Sequence, residues 1–190
     1  MKFIHCPLCG EKLIPKNIGD EGLVPFCSSC DRPVFNIPYA CTLTLVVNEL
    51  GEVVLIRQNY VSKSNYVLVA GYIKSGESAE ETAMREVQEE VGIYPDQVKY
   101  LKSYYYEKHD MLMLGFVAYA NKCEISISGE VDEAGWFTME EAAAKLREGS
   151  IAMQLFCDYM EMEGNPPREL GGKSSKKSGG EILQKTGGLE

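Results

Sequence analysis

Apolar and polar positions change period several times along the chain, and each change marks an expected element. Residues 40–47 form an almost unbroken apolar and β-branched run, and 53–58 repeat it after Asn48-Glu49-Leu50-Gly51-Glu52, which predicts a hairpin. Residues 66–70 predict a third strand, and 97–108 and 111–120 two more. The last is apolar enough throughout to lie buried between layers. Between these strands, 78–91 is rich in Ala, Met, Glu and Gln, lacks Pro and Gly, and reads as a helix. Two further helices are expected over 139–148 and 151–162, the second carrying Met153, Phe156, Cys157 and Met160 at helical spacing, a stripe suited to a core or a dimer surface. This order predicts an α/β domain with a mixed sheet between helices.

The helix at 78–91 carries the candidate chemistry. Ser78-Ala79-Glu80-Glu81 has the capping-box pattern, and Gly92 suits the C-terminal cap. At 3.6 residues per turn, Glu86, Glu89 and Glu90 fall within about 100° of one another, while Met84, Val87 and Val91 point to a different side. Clustered carboxylates repel unless positive charge sits among them, and oxygen ligands at this density suit Mg²⁺ or Mn²⁺, which share their remaining sites with phosphates. Arg85 and Glu77 supply an ion pair able to orient the acidic residues. Gly71 lets the backbone bend where a side chain would intrude. Taken alone, the acidic run also fits a solvated helix face.

A second constellation lies at the N-terminus. Cys6-Pro7-Leu8-Cys9 and Cys27-Ser28-Ser29-Cys30 are two Cys-x2-Cys knuckles 17 residues apart, a spacing that reads as a zinc ribbon. Four thiolates close a tetrahedral Zn²⁺ site and leave no position for catalysis, so the metal is structural. A disulfide framework is the competing account. So short a module cannot bury a core, and metal binding, on the order of 10 kcal/mol or more, would supply its folding free energy. His5 reads as a surface residue. Residues 31–40 hold two prolines and read as a linker.

Composition refines this picture. The chain has 190 residues, 45% hydrophobic and 25% charged, ample for one catalytic domain and a small appendage. The expected division is a ribbon over 1–35, the α/β domain over 36–165 and a disordered tail over 166–190, where Gly, Ser and Lys dominate. No run suits a membrane helix and no cleavable signal is visible, so the cytoplasm is the expected location. Cys41, Cys123 and Cys157 lack paired spacing, and inert thiols are expected. A net charge of −9 argues against a broad grip on nucleic acid.

The segment from Gly71 to Ile93 resembles the signature of the Nudix hydrolases, G-x5-E-x7-R-E-U-x-E-E-x-G-U with U a bulky aliphatic residue. Gly71, Glu77, Arg85, Glu86, Val87, Glu89, Glu90, Gly92 and Ile93 match every specified position. The resemblance implies an α/β/α sandwich and metal-dependent cleavage of a nucleoside diphosphate linked to another group. It implies metal ligation by the carbonyl of Ala70 and the carboxylates of Glu86, Glu89 and Glu90, joined by Glu130 through the resemblance of residues 129–137 given below. It also implies that Arg85, Glu89 and Glu90 are catalytic, with the proton accepted by Glu89 or Glu90 or, as in some family members, by a group on a distant loop.

A zinc ribbon followed by such a domain resembles the NADH pyrophosphatases, as do Met113-Leu114-Gly115-Phe116-Val117-Ala118 and the stretch from Gly129 to Phe137. One element departs. Those enzymes carry Ser-Gln-Pro-Trp-Pro-Phe-Pro-x-Ser where this chain has Ser103-Tyr104-Tyr105-Tyr106-Glu107-Lys108-His109-Asp110. That element is associated with recognition of the dinucleotide, so the resemblance implies the architecture and the chemistry but not an NADH preference. NADH, NAD⁺ or ADP-ribose is the expected substrate, with Tyr104 and Tyr106 as candidate stacking residues on one strand face and Tyr105 on the other. His109 is a candidate phosphate donor. Related enzymes are often dimers, which makes a homodimer an expectation. The alternatives are a nucleotide sensor that does not cleave and a hydrolase of nucleotide-capped RNA, the latter lacking a dense basic face beyond Lys2, Lys12, Lys16 and Arg32.

Overall fold

A computed structural model describes residues 3–62 and 64–164. The expected tail over 166–190 and Lys2 lie outside the described residues.

The N-terminal module is a three-stranded antiparallel sheet of β1 (Ile14–Asn17), β2 (Leu23–Cys27) and β3 (Arg32–Pro33), in the order β1-β2-β3. Its enclosed apolar cluster is small, with Cys6, Cys27 and Val34 buried and Phe3, Leu13 and Cys30 against them. Part of the expected linker is therefore ribbon. β3 pairs with β2 through Phe26↔Pro33 and Cys27↔Arg32, and the Val34 amide donates to the Pro25 carbonyl at 2.7 Å. Strands this short have no readable alternation, which is why the prolines dominated the sequence reading.

The main domain holds β4 (Tyr39–Val47), β5 (Val53–Arg57), β6 (Val69–Tyr72), α1 (Ala79–Val91), β7 (Gln97–Tyr106), β8 (Met111–Tyr119), β9 (Glu133–Phe137), α2 (Met139–Lys145) and α3 (Ile151–Met162). The strand order is β7-β8-β4-β5-β9, with β6 also paired to β4. β4 and β8 run parallel and the other pairs antiparallel, so the sheet is mixed. It is covered on both sides. Cys41, Leu43, Leu45 and Val47 pack with Ala142, Leu155 and Phe156 of α2 and α3. Val46, Val54, Ile56 and Val69 pack with Val87 and Val91 of α1. Burial on both faces explains why β4 reads as a continuous apolar run.

The β4–β5 hairpin closes as expected, through the Asn48 carboxamide oxygen, which accepts from the amides of Leu50 and Glu52 at 2.9 Å each. The two strands share only the Val47↔Val53 register before they separate. β6 enters the gap and pairs Cys41↔Tyr72, Thr42↔Gly71, Leu43↔Ala70 and Thr44↔Val69. The third strand is thus displaced from the expected 66–70. Val67 bonds Ile56 of β5 in both directions, at 2.8 and 3.0 Å, and the chain then crosses to β4. Gly71 consequently lies inside a strand.

Helix α1 forms as its local sequence dictates. The Ser78 hydroxyl accepts from the Glu81 amide, Glu81 returns the bond to the Ser78 amide, and Gly92 closes the helix at φ 68°. Its buried stripe is Thr82, Ala83, Val87, Glu90 and Val91, with Met84 half-buried. Helix α2 stops at Lys145, short of the expected 148, because Leu146 is extended (ψ 140°) and bridges to Tyr66. Strand β9 shows no polar–apolar alternation in sequence, because Ala134 and Trp136 pack toward one core and Phe137 toward the other.

Candidate active site

The crossing of β6 over β4 delivers Gly71 to the side of α1. A Cβ built on Gly71 would lie 1.9 Å from both Cδ and Oε1 of Glu86, so the Glu86 carboxylate occupies the space that any other residue would need. The Thr42 hydroxyl donates to the Gly71 carbonyl at 3.5 Å from the neighbouring strand.

Arg85 organises the charges around this contact. Its Nε and one terminal nitrogen hold the two oxygens of Glu77 at 2.8 and 2.9 Å, a bidentate fork. Its other terminal nitrogen bridges Glu86 at 2.7 Å and Glu89 at 2.9 Å. The guanidinium holds the Glu77 carboxyl down at about 2, with the Thr82 hydroxyl (2.8 Å) and the Lys74 amide (3.2 Å) adding bonds. Burial raises Glu86 against the opposing pull of Arg85. Glu89 is exposed, with Lys74 4.0 Å away.

Glu90 differs from its neighbours. It is 4% exposed, with one oxygen accepting from the Gln58 side-chain amide at 3.0 Å. Its other oxygen is buried and unpartnered among the described residues. Burial, only partly offset by the Gln58 bond, pushes its carboxyl up to about 7, and the charges of Glu86 and Glu130 add to the rise. Glu130 is exposed on the segment beyond β8, which is tied to α1 by the Ser126 amide on the Val91 carbonyl (3.0 Å) and the Ser128 amide on the Glu90 carbonyl (3.2 Å). Tyr60 stands by the same group. Burial and the charges of Glu90, Glu130 and Glu86 together raise its phenol.

The tyrosine run is corrected by the structure. Alternation holds, but Tyr104 is a core residue, 7% exposed, whose hydroxyl donates to Asp158 of α3 at 2.7 Å. Tyr106 is half-buried against the same core and stacks tilted on exposed His109 at 5.2 Å. A ring inside the α3 layer cannot stack a base, so Tyr104 leaves the set of substrate-binding candidates. Tyr104→Phe is expected to cost about 1–2 kcal/mol in thermal or denaturant unfolding and to leave turnover unchanged. The open rings near Gly71 are instead Tyr72 and Tyr39, 56% and 45% exposed, packed edge to face at 5.8 Å.

Sequence reading missed Gln58, Thr42 and Tyr60. Gln58 carries one visible signal, a polar side chain that follows Arg57 at the end of an otherwise apolar strand.

In the ribbon the sulfurs of Cys6, Cys9, Cys27 and Cys30 all lie within 4.8 Å of one another, with Cys9···Cys27 at 3.5 Å and Cys6···Cys30 at 4.0 Å. Four thiolates at about 2.3 Å from one Zn²⁺ stand about 3.8 Å apart, whereas a disulfide needs about 2.05 Å. The cluster is compatible with a zinc ribbon, and none of the four is in a disulfide. His5 is exposed and stands apart from it. Were the four sulfurs to hold zinc, Cys27→Ser is expected to abolish its binding, read as zinc per chain by elemental analysis, and to lose the ribbon's melting transition while the main domain's remains. Cys41 is buried and pushed up to about 11 by burial, Cys157 is half-buried and Cys123 exposed.

Residues 39–156 match the family model of the NUDIX domain. The chain belongs to the NUDIX family. It is 29% identical over 162 residues to the NAD-capped RNA hydrolase NudC of Chromobacterium violaceum, covering 83% of this chain and 61% of that protein. It is 38% identical over 144 residues to NudC of Mycobacterium tuberculosis, covering 75% and 45%. To the human NAD-capped RNA hydrolase NUDT12 it is 28% identical over 158 residues, covering 78% and 34%. The chain thus spans between 34% and 61% of the length of these relatives. Among solved structures, a NUDIX hydrolase from Nitrosomonas europaea superposes with a TM-score of 0.65 at 20% identity, covering 86% of this chain and 95% of that one. The NUDIX domain of Shewanella oneidensis NrtR, complexed with ADP ribose, gives 0.60 at 14%, covering 73% and 94%. At these identities the structural likeness concerns the NUDIX fold. Among the described residues no helix is long and apolar enough to cross a membrane.

Proposed function

We propose that this chain is a divalent-metal-dependent pyrophosphohydrolase that cleaves the diphosphate of an NAD(H)-type dinucleotide. The observation that carries the proposal is the Glu86–Gly71 contact beside the buried, unpartnered oxygen of Glu90. A buried acid raised by desolvation and by two acidic neighbours is a poor structural element and a suitable cation ligand. The Ala70 carbonyl, Glu86, Glu89, Glu90 and Glu130 would hold the cation. When bound, a divalent ion supplies Lewis-acid neutralisation of phosphate charge and activation of the attacking water.

The protein's own contribution is placement. Arg85, locked by Glu77, fixes Glu86 and Glu89 from one side of α1, and Gln58 fixes Glu90 from the other. Glu89, far more exposed than Glu86 and Glu90, is the group placed to accept a proton from water. The solvent-facing rings of Tyr39 and Tyr72 offer the aromatic surface that the core position of Tyr104 withholds.

Relatives named as NAD-capped RNA hydrolases support a second presentation of the same bond, as the 5′ cap of an RNA. Ranking kcat/KM for NADH, NAD⁺, ADP-ribose, FAD, diadenosine polyphosphates and NAD-capped RNA with Mn²⁺ tests both readings. Highest values for NADH or NAD⁺ support the free dinucleotide, and highest values for capped RNA support the second. A clear preference for ADP-ribose or diadenosine polyphosphates overturns the substrate class.

A further inference from the structure

We propose that Gln58 is a positioning residue for cation binding, whose side-chain amide fixes the Glu90 carboxylate so that its second oxygen faces the cation site. This inference rests on the divalent-cation reading of the carboxylate cluster.

Gln58 is 5% exposed, unusual for a primary amide, and its Nε2 donates to Glu90 Oε1 at 3.0 Å across a sequence separation of 32 residues. Among the described residues that is the one side-chain hydrogen bond on this carboxylate; the Ala70 backbone adds a weaker pull, and Oε2 is buried without a hydrogen-bond partner. One oxygen is therefore tethered by a side chain and the other is held out of water with no side-chain partner.

The chemistry of the donor matters. Arg85 neutralises Glu77 with a full positive charge, whereas a carboxamide orients Glu90 and leaves its negative charge available to a cation. A carboxylate with neither tether would rotate about its terminal torsion, which is broad and roughly two-fold, and would lose part of its affinity to that freedom.

The backbone at Gln58 is held as firmly as its side chain. Its carbonyl accepts from the amides of Val61 and Ser62, both at 2.9 Å, closing the turn that carries Tyr60. The next residue, Asn59, donates its amide to Asp132 at 2.6 Å, and the Asp132 amide donates to the Arg57 carbonyl at 2.9 Å. Asp132 lies two positions after Glu130. Gln58 thus joins α1 to the turn bearing Tyr60, and its chain neighbours Arg57 and Asn59 tie the segment bearing Glu130 to the same place.

The test is Mn²⁺ binding measured by electron paramagnetic resonance on metal-stripped full-length protein, without nucleotide. Gln58→Met keeps the length and loses the donor, and its Mn²⁺ dissociation constant is expected to rise about tenfold. Gln58→His restores a neutral N–H donor and is expected to recover most of that loss. Equal Mn²⁺ affinity in wild type and Gln58→Met, or equal weakening in Met and His variants, overturns the proposal. The wild-type chain supplies a second readout should a variant fail to fold. The Gln58 side-chain amide resonances, exchange-protected by burial, are expected to shift on Mg²⁺ addition, and their indifference to Mg²⁺ also overturns it. Because neither readout involves turnover, a wild type that binds Mn²⁺ but cleaves no dinucleotide would refute the substrate reading and leave the role of Gln58 standing.

Discussion

Replacing Glu90 by Gln is expected to lower kcat roughly 10³-fold, about 4 kcal/mol of transition-state stabilisation, while the protein keeps its fold. The two halves of this expectation come from the same burial. Glu90 is 4% exposed and its carboxyl is pushed up to about 7, so the metal-free fold holds an anion that its surroundings disfavour. A Gln at this position keeps the shape, and its carbonyl oxygen can still accept from Gln58. The metal-free variant should therefore melt at or above the wild-type temperature while activity collapses. A residue kept for stability would behave the other way, with a lower melting temperature and near-normal turnover. Steady-state kinetics together with thermal melts in chelator distinguish the two.

The second large effect is expected at Gly71. An added methyl would stand 1.9 Å from the Glu86 carboxyl, and the atoms in its way are the flexible end of a side chain. The strand can therefore persist, and Glu86 must swing out, breaking its 2.7 Å bond to Arg85. Displacement of a reacting group by about 1 Å can cost on the order of 10²-fold in rate, so Gly71→Ala should lower kcat/KM by at least that factor. Its melting temperature should change by only a few degrees. Near-normal kcat/KM would show that the Glu86 position is immaterial to the reaction, and the site geometry described here would then be misassigned.

What could be read in the sequence follows the range of the forces involved. Helix α1 was legible to its caps because Ser78, Glu81 and Gly92 act within a few residues of their partners. The hairpin at Asn48 was legible for the same reason. Strand β6 was misplaced by a few residues because its register is set by β4, some thirty positions earlier, and by a brief detour to β5 at Val67. The tyrosine run shows a different boundary. Alternation correctly separated Tyr104 and Tyr106 from Tyr105, yet which face meets a helix depends on α3, fifty residues further along, where Asp158 waits for the Tyr104 hydroxyl.

The site divides similarly. Glu77, Arg85, Glu86 and Glu89 share one helix or its approach, and their ion pairs follow from spacing. Gln58 and Tyr60 belong to a turn beyond β5, and only the folded sheet brings them to Glu90. The ribbon was legible in its four cysteines because tetrahedral ligation demands paired knuckles, while its strands, two to five residues long, carried too little pattern to read.

The measurement that bears most directly on cleavage at this carboxylate helix is mass-spectrometric product analysis of NADH incubated with the protein and Mn²⁺ in H₂¹⁸O, with Glu90→Gln in parallel. The wild type should yield AMP and reduced nicotinamide mononucleotide in equal amounts, one of them carrying a single ¹⁸O at phosphorus, and the variant almost none. Mn²⁺ binding by the wild type with no mononucleotide product from NADH, NAD⁺ or ADP-ribose would contradict the account and make the site one that binds a nucleotide without cleaving it.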